Sequence, residues 1–366
     1  MAIILSHTNA MVVFTDAYLR SAGEAHVPGG AYDAVHHRLS FTNTTTTLAP
    51  QRVARVIGPK SSQVMSNYVF TVPPATTIQG VISTAKNPAD TDIIFSAIVP
   101  DFKWWRIGLT NASARLHFRG ETLELTDLDA GSYGGRTRGS LFFDWTNKGD
   151  TQIRANLQTT NVNLAGVMHT LVSPTNRLEG VLHGNVRMTG HTSDTNSWAG
   201  NGDATLRDGF LWDLPLFGIF SKLFDAILPG TGQTRFKAGQ MSFVVTNSVL
   251  STRDMEVRSA AMRLGYRGKV ALNTQLDARM EAELFRDAPL IGPLLNFALT
   301  PFTKLFEYDV KGTLRKPKAE PRYVPKFLLA PLRPLKTLRE LLAKDVSPEV
   351  KGPIRPVEVL PSPPVP

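Results

Sequence analysis

The amino-acid sequence predicts a mainly β fold with a few short amphipathic helices. Apolar and polar residues alternate through much of the chain, most strictly at residues 275–284. An alternation with a period of two is typical of a strand with one buried face and one wetter face. Two short apolar stretches, within residues 203–230 and 288–306, have helical spacing instead. The chain therefore reads as a long sheet that two apolar helices interrupt.

Residues 1–106 are predicted to be a β-rich N-terminal segment. The β-branched and polar residues at 39–48 indicate an exposed strand, and residues 50–58 indicate a short helix. Trp104 and Trp105 have only Phe102 as an aromatic neighbour nearby in the sequence. This favours a half-buried strand pair over a platform on which bases stack.

The alternation becomes clean between residues 107 and 145. Ala114, Leu116 and Phe118 alternate with charged or polar neighbours, and Leu123 and Leu125 continue the pattern. This region is predicted to form strands with one apolar and one polar face.

The first apolar helix is predicted at about residues 214–228. Its apolar side chains recur at spacings of one, three and four, which gathers them on one helical face. The residues on that face are Leu216, Phe217, Phe220, Leu223 and Phe224. A second apolar helix is predicted at about residues 289–306, and a shorter helix at residues 163–172. No stretch reaches the roughly 20 apolar residues that span a bilayer.

The strand at residues 275–284 presents its apolar side chains to one side of the sheet. Those side chains are Leu276, Ala278, Met280, Ala282 and Leu284. Ten residues of strict alternation indicate a long strand. Such a face can line a groove or be sealed in a closed core, and alternation alone does not separate the two.

Residues 317–366 are predicted to be a basic, proline-rich tail that is largely disordered. They hold 12 of the 25 prolines, and residues 311–366 contribute +7 of the net charge of +9. Such a tail suits an acidic partner surface such as anionic lipid headgroups, and a solvated tail without a partner is the alternative. No aromatic-rich basic motif accompanies it, so nucleic acid is not an expected partner.

No catalytic or cofactor-binding constellation is recognisable, so we expect no enzyme activity, no cofactor and no metal. No activated-serine elbow, phosphate-binding glycine loop or His-Glu metal motif occurs in the sequence. The absence of cysteine excludes disulfides and thiolate metal sites. Two carboxylates can still meet in space, so a glycosidase-type pair stays open at this stage.

The order of several motifs resembles the C-terminal region of the AsmA-like proteins of bacterial envelopes. These motifs are the turn Tyr133-Gly134-Gly135, the pair Asp208-Gly209 before a leucine-rich helix, and Gly312-Thr313-Leu314 followed by Pro317. The resemblance covers residues 107–320 well and residues 31–106 loosely. It divides the chain into an N-terminal segment (1–106), an AsmA-like region (107–316) and the tail (317–366).

The resemblance implies a long, curved antiparallel sheet that forms a hydrophobic groove, as in bridge-like lipid transfer proteins. It implies a non-enzymatic envelope protein, on the periplasmic side of the inner membrane, that binds or conducts phospholipid or another envelope lipid. Such a protein contributes to outer-membrane biogenesis. The apolar residues of strand 275–284 and of helix 214–228 are then expected to contact lipid or a membrane surface. Family members usually begin with a transmembrane anchor, and no anchor is visible in this chain.

The alternative function is a scaffold or assembly factor for outer-membrane proteins, which binds partners through exposed sheet edges. The alternative structure is a closed core, in which the same apolar faces pack against each other. The substitution Met280→Asp separates the two structures, because a groove tolerates a charge that would unfold a sealed core.

Overall fold

The protein is mainly β, as the alternation of apolar and polar residues predicts. The structure, a computed structural model, describes residues 4–8, 10–20, 23–57, 62, 65–84, 88–104, 106–171, 175, 177–227, 230–285 and 302–323. Within these residues, 19 strands belong to one open antiparallel sheet. The strands are β1 (Ile4–Thr8), β2 (Met11–Arg20), β3 (Glu24–Asp33), β4 (Arg38–Thr46), β5 (Tyr68–Phe70), β6 (Ala75–Ser83), β7 (Asp92–Trp104), β8 (Ile107–Arg119), β9 (Thr122–Ser132), β10 (Gly135–Asp144), β11 (Gln152–Asn163), β12 (Glu179–His191), β13 (Ala199–Phe210), β14 (Phe236–Thr246), β15 (Val249–Arg258), β16 (Met262–Ala271), β17 (Gln275–Phe285), β18 (Phe302–Thr313) and β19 (Lys316–Tyr323).

Three α-helices occur in the described part of the chain, and each confirms a predicted helix. They are α1 (Pro50–Ile57), α2 (Leu164–Leu171) and α3 (Pro215–Ile227). α1 and α3 begin with proline, whose missing N–H costs no hydrogen bond at the first helical position. The Asn163 side chain caps α2 by accepting a hydrogen bond from the backbone N–H of Gly166 at 3.2 Å.

The chain folds as two compact units. Among the described residues, the first unit comprises residues 4–159 and 189–195, and the second comprises residues 160–188 and 196–323. The division at residue 107 comes from the sequence resemblance and stays a prediction.

The first unit is an antiparallel meander in which β1 to β4 pair in chain order, β4 pairs with β6, and β6 to β10 again pair in order. The three-residue β5 pairs with the end of β7, beside the part of β7 that pairs with β6. The hairpin between β9 and β10 turns at Tyr133 and Gly134, with φ angles of 49° and 76°. Two positive φ angles are those of a type I′ turn, which explains the Tyr-Gly-Gly motif.

Aspartate and asparagine residues with left-handed backbone recur inside the strands of the first unit. They are Asp16, Asn43, Asn111 and Asp127. At Asn43 the pairing of β4 with β6 shifts by one residue. Such a bulge reverses the alternation of side chains, so Phe41 and Thr44 lie on the same face although they are three residues apart.

In the second unit, β13 to β19 pair in chain order. Helix α3 packs on one face of β16, β17 and β18, and the cluster beneath it is named the helix-covered core. Its buried side chains are Leu178, Leu211, Trp212, Phe217, Phe220, Phe224, Phe236, Val257, Ala261, Met262, Leu264, Tyr266, Leu276, Met280, Ala282, Phe306, Tyr308 and Val310.

The prediction of a second apolar helix at residues 289–306 is wrong over its last residues. Residues 302–306 belong to β18, and Phe306 pairs with Ala282 of β17. The burial of Phe306 in the sheet outweighs the local helical spacing. Residues 289–301 lie outside the described residues. The prediction of a disordered tail from residue 317 is also wrong at its start, because residues 317–323 form most of β19. Residues 324–366 lie outside the described part of the chain.

Candidate functional site

The strand predicted to line a lipid groove is a central strand of the helix-covered core. In β17, Met280 pairs with Tyr266 of β16 on one side and with Tyr308 of β18 on the other. Directly paired residues of antiparallel strands lie on the same face. Met280 and Tyr308 are 0% exposed and Tyr266 is 2% exposed. The flexible methionine therefore lies between two aromatic rings, beneath another layer.

That layer is α3, whose phenylalanines close this face of the sheet. Phe217 meets the Tyr266 ring edge-on, with 5.1 Å between ring centroids. Phe220 meets the Tyr308 ring in the same way at 5.3 Å. The third phenylalanine, Phe224, is 1% exposed. Edge-on contacts at these distances are favourable arrangements of aromatic pairs, so aromatic packing holds the helix on the sheet.

Hydrogen bonds fix the start of α3. The Tyr266 hydroxyl donates to the backbone carbonyl of Leu216 at 3.0 Å. Just before the helix, the Asp213 carboxylate accepts two hydrogen bonds from the Arg177 guanidinium, at 3.1 and 2.7 Å. A bidentate pair of this kind adds geometric specificity to its charge attraction. The helix is thus attached at its first turn as well as along its apolar face.

The two tyrosines of this core are in an environment that disfavours charge. Burial raises the pKa of Tyr266 well above its ordinary value of 10.0, and burial raises the pKa of Tyr308 in the same direction. The buried Tyr308 hydroxyl has no hydrogen-bond partner among the atoms that the structure describes. Both phenols therefore stay neutral at physiological pH, and their rings pack within the apolar core.

The structure brings eight of the ten predicted lipid-contacting residues together. Leu276, Met280, Ala282, Phe217, Phe220 and Phe224 are buried in the helix-covered core, and Ala278 and Leu216 are partly buried against it. The side chains of Leu223 and Leu284 lie outside the described part of the structure. The six buried side chains contact one another and present no surface to a ligand. The closed-core alternative therefore describes this region.

A different apolar surface lies on the first unit. Two adjacent rows of residues cross β4, β6, β7, β8, β9 and β10, and each residue pairs directly with the next. The first row is Phe41, Gly80, Ile93, Phe118, Leu123 and Phe143, and the second row is Thr44, Ile78, Phe95, Leu116, Leu125 and Leu141. These twelve residues are named the two-row apolar face.

The two-row apolar face keeps part of its surface exposed. Ile93, Leu123 and Thr44 are buried, whereas the other large apolar side chains of the two rows are half-buried. Neither of the two buried hydrophobic clusters formed by the described residues contains any member of the face. Five strand spacings make the face roughly 24 Å wide. A contiguous apolar surface of this kind is a candidate binding site.

Polar residues lie directly behind the two-row apolar face, on the reverse side of β7 and β8. Ser96 follows Phe95 in the sequence, and Arg115 precedes Leu116. Both Ser96 and Arg115 are exposed. The two sides of the first unit's sheet thus differ in chemistry, as the alternation of residues predicts.

Sequence reasoning missed the two-row apolar face as a site, although part of its signal is visible. The alternation through Leu116, Phe118, Leu123 and Leu125 predicts an apolar face. Nothing in that alternation predicts whether another element covers the face. A covering element can come from a distant part of the chain, as α3 does in the second unit. The bulge at Asn43, which places Phe41 in the first row, has no strong sequence signal.

Metal sites and membrane-spanning helices find no support in the described part of the chain. No group of three or more His, Cys, Asp or Glu side chains there could hold a metal ion. None of the described helices combines the length and apolar character needed to cross a bilayer.

No protein-family model, curated protein or solved structure matches this chain.

Proposed function

We propose that this chain is a non-enzymatic protein of the bacterial cell envelope that binds phospholipid or another envelope lipid on an apolar β-face. The proposed role is in outer-membrane biogenesis or phospholipid transport, on the periplasmic side of the inner membrane. The observation that carries the proposal is the two-row apolar face, which combines a broad apolar surface, partial exposure and a polar reverse side. The resemblance of residues 107–320 to AsmA-like proteins supports the same role.

Acyl chains suit this face because its large side chains offer hydrocarbon contact across several neighbouring strands. Phe95 and Phe118 lie edge-on with ring centroids 5.8 Å apart, and Phe95 also pairs directly with Leu116 of β8. Each methylene group removed from water contributes about 0.8 kcal/mol. An acyl chain that lies across several strands is therefore held by several kcal/mol without any hydrogen bond.

The lipid contacts are thus proposed on the two-row apolar face instead of on β17 and α3. In the second unit, α3 occupies the side of β16, β17 and β18 on which a lipid would otherwise lie. The helix acts there as a plug. A lipid could reach Met280 only after the aromatic contacts of Phe217 and Phe220 had been broken.

The basic C-terminal residues are proposed to bring the protein to a membrane surface. Residues 311–366 carry a net charge of +7. Attraction to an anionic surface is worth about 1 kcal/mol for each basic residue near it. This charge would place the chain beside anionic lipid headgroups.

The alternative of a scaffold for outer-membrane proteins receives less support. Addition of a partner strand needs backbone N–H groups, and β19 carries Pro317 and Pro321, which have none. The exposed Lys316 and Lys318 further discourage pairing with another strand. Outer-membrane assembly proteins therefore remain the second choice of partner.

Two neighbouring residues of β7 provide a matched test of the proposal. Phase extraction and mass spectrometry of the purified protein would measure bound phospholipid, and uptake of a fluorescent phospholipid would measure loading. Phe95→Asp places a charge on the two-row apolar face and is expected to lower loading at least tenfold. Ser96→Asp places the same charge on the polar reverse side and is expected to leave loading unchanged.

Circular dichroism would verify that both variants stay folded, since both positions are at least partly exposed. The proposal fails if the wild-type protein carries no phospholipid and takes none up. It fails equally if folded Phe95→Asp loads lipid as well as Ser96→Asp does.

A further inference from the structure

The polar side of the first unit contains a cleft that the lipid-binding proposal does not use. Its volume is about 630 Å³, and residues of β2, β3, β4, β6, β7, β8 and β9 line it. One row of directly paired residues crosses the cleft from strand to strand. In order, the row is Tyr18, His26, Thr45, Thr77, Ser96 and Arg115, and it is named the cleft row.

The sizes of these side chains explain why a cleft forms. Thr45, Thr77 and Ser96 are small, and they lie between large side chains at both ends of the row. Four strand spacings separate His26 in β3 from Arg115 in β8, a distance of roughly 19 Å. The cleft row is therefore a trough with a floor of small residues and two raised ends.

The floor of the trough offers hydroxyl groups at regular intervals. Thr45, Thr77 and Ser96 are exposed, so their hydroxyls are accessible to a ligand. Each hydroxyl can donate one hydrogen bond and accept two. Adjacent members of the row lie one strand spacing apart, about 4.8 Å. A ligand that lies along the row can therefore both donate and accept hydrogen bonds at each step.

One end of the trough is an ordered aromatic surface. The Tyr18 ring is stacked on the His26 ring, with centroids 4.3 Å apart and 12° between the planes. The His26 Nε2 atom is hydrogen-bonded to the Asp16 carboxylate at 2.9 Å, which fixes the imidazole. Tyr18 remains 50% exposed. A half-exposed tyrosine combines an apolar ring surface with a polar hydroxyl.

The charges around the cleft nearly balance. Arg20 forms an ion pair with Glu24 at 3.1 Å, and both line the cleft. Arg115 and Asp127, of opposite charge, also line it. A surface with this balance has no strong preference for an anion or a cation, and its hydroxyls favour an uncharged polar ligand.

We propose that the cleft binds a neutral oligosaccharide, either free or attached to a lipid. Sugars present hydroxyl groups that match the floor and apolar ring faces that match Tyr18. The length of the trough suits a chain of several sugars better than a single one. The cleft and the two-row apolar face lie on opposite sides of the same strands, so the two proposals stand or fall separately.

Isothermal titration calorimetry on the full chain tests the proposal with a panel of neutral tetrasaccharides of glucose, galactose and N-acetylglucosamine, each compared with its disaccharide. At least one tetrasaccharide is expected to bind, with an affinity tenfold or more above that of its disaccharide. Co-sedimentation with phosphatidylcholine vesicles that contain digalactosyl diacylglycerol, measured as the excess over vesicles of phosphatidylcholine alone, tests the lipid-attached source. Binding of the free sugars indicates a free glycan, and binding of the vesicles alone indicates a lipid-attached one.

Two variants locate the binding. Ser96→Trp fills the floor of the trough and Tyr18→Ala removes its aromatic end, so each is expected to weaken binding at least tenfold. Thr246→Trp, at an exposed position of β14 in the second unit, is the matched control and is expected to change nothing. Unaltered thermal unfolding and phospholipid loading would show that the variants are intact. The proposal is overturned if no panel member and no glycolipid vesicle binds, or if Ser96→Trp binds like the wild type.

Discussion

The helix-covered core and the two-row apolar face arise from the same alternating pattern but differ in what lies above them. In the core, Met280 of β17 is 0% exposed beneath the phenylalanines of α3. In the two-row apolar face, Leu116 and Phe118 of β8 remain half-buried, and they belong to neither buried cluster of the described residues. The alternation determines which side of a strand is apolar, and a separate element determines whether that side is closed.

The size of the side chains on a sheet face determines whether a helix can pack on that face. In the second unit, β17 carries Met280 and Ala282 between larger residues of its neighbours, and Gly268 of β16 approaches Ala278 closely. These small or flexible residues leave room for the rings of α3. In the two-row apolar face, β7 to β10 carry phenylalanine, leucine and isoleucine at almost every position of both rows. Within β7 to β10, neither row contains a glycine or alanine that would leave room for an aromatic side chain from above.

Of the substitutions that compare the two regions, Met280→Asp is expected to lower the stability of the protein most. The new carboxylate would be buried beneath α3 without a partner, which costs more than about 3 kcal/mol of folding free energy. We therefore expect loss of the folded second unit, measured as loss of the cooperative transition in urea denaturation. A stable Met280→Asp protein would contradict the closed core and restore the groove at β17.

The pair Phe220→Ala and Phe118→Ala measures the difference between the regions directly. Removal of a buried phenylalanine ring typically costs about 3–5 kcal/mol, so we expect this loss for Phe220→Ala. Phe118 is only half-buried, and its removal should cost roughly half as much, because less surface returns to water. Urea denaturation of the two variants would give both values. Equal losses would mean that the two-row apolar face is as closed as the core.

The sequence predicts much of the fold because its strongest signals are local. The strict alternation at residues 275–284 and the helical spacing at 214–228 correspond to β17 and α3 within a residue or two. Residues 302–306 were mispredicted as helix because their place in β18 depends on pairing with β17. Local spacing cannot report a long-range pairing of this kind.

The candidate site is less predictable than the fold. The sequence correctly groups Met280, Phe217 and Phe220 as apolar faces, but it does not show that these faces close on each other. Their aromatic partners Tyr266 and Tyr308 come from two other strands, β16 and β18, which the spacing within β17 and α3 does not identify. The two-row apolar face depends on register across six strands, including the bulge at Asn43, and register is set by the whole sheet.

The smallest expected effect concerns alkaline pH. The pKa values of Tyr266 and Tyr308 are raised by burial, so the folded state holds their protons more tightly than the unfolded state does. The stability that this provides is complete below the ordinary value of 10.0 and is lost as the pH rises towards the raised values.

The second unit should thus lose stability above pH 10, and Tyr308→Phe should lose less of its own stability over the same range. Urea midpoints between pH 8 and pH 11 would measure both slopes. Identical pH slopes of stability for the wild type and Tyr308→Phe would show that burial beneath α3 does not raise the pKa of Tyr308.

Site-specific photocrosslinking tests the central claim most directly, that lipid contacts the two-row apolar face and not the helix-covered core. A diazirine analogue of leucine would replace Leu116 in one variant and Leu264, which is 0% exposed, in another. The two probes are chemically identical and nearly isosteric with the residues they replace. After illumination with phospholipid vesicles, mass spectrometry should detect a lipid adduct at Leu116 and none at Leu264. An adduct at Leu264 as strong as that at Leu116, or none at Leu116, would contradict the account.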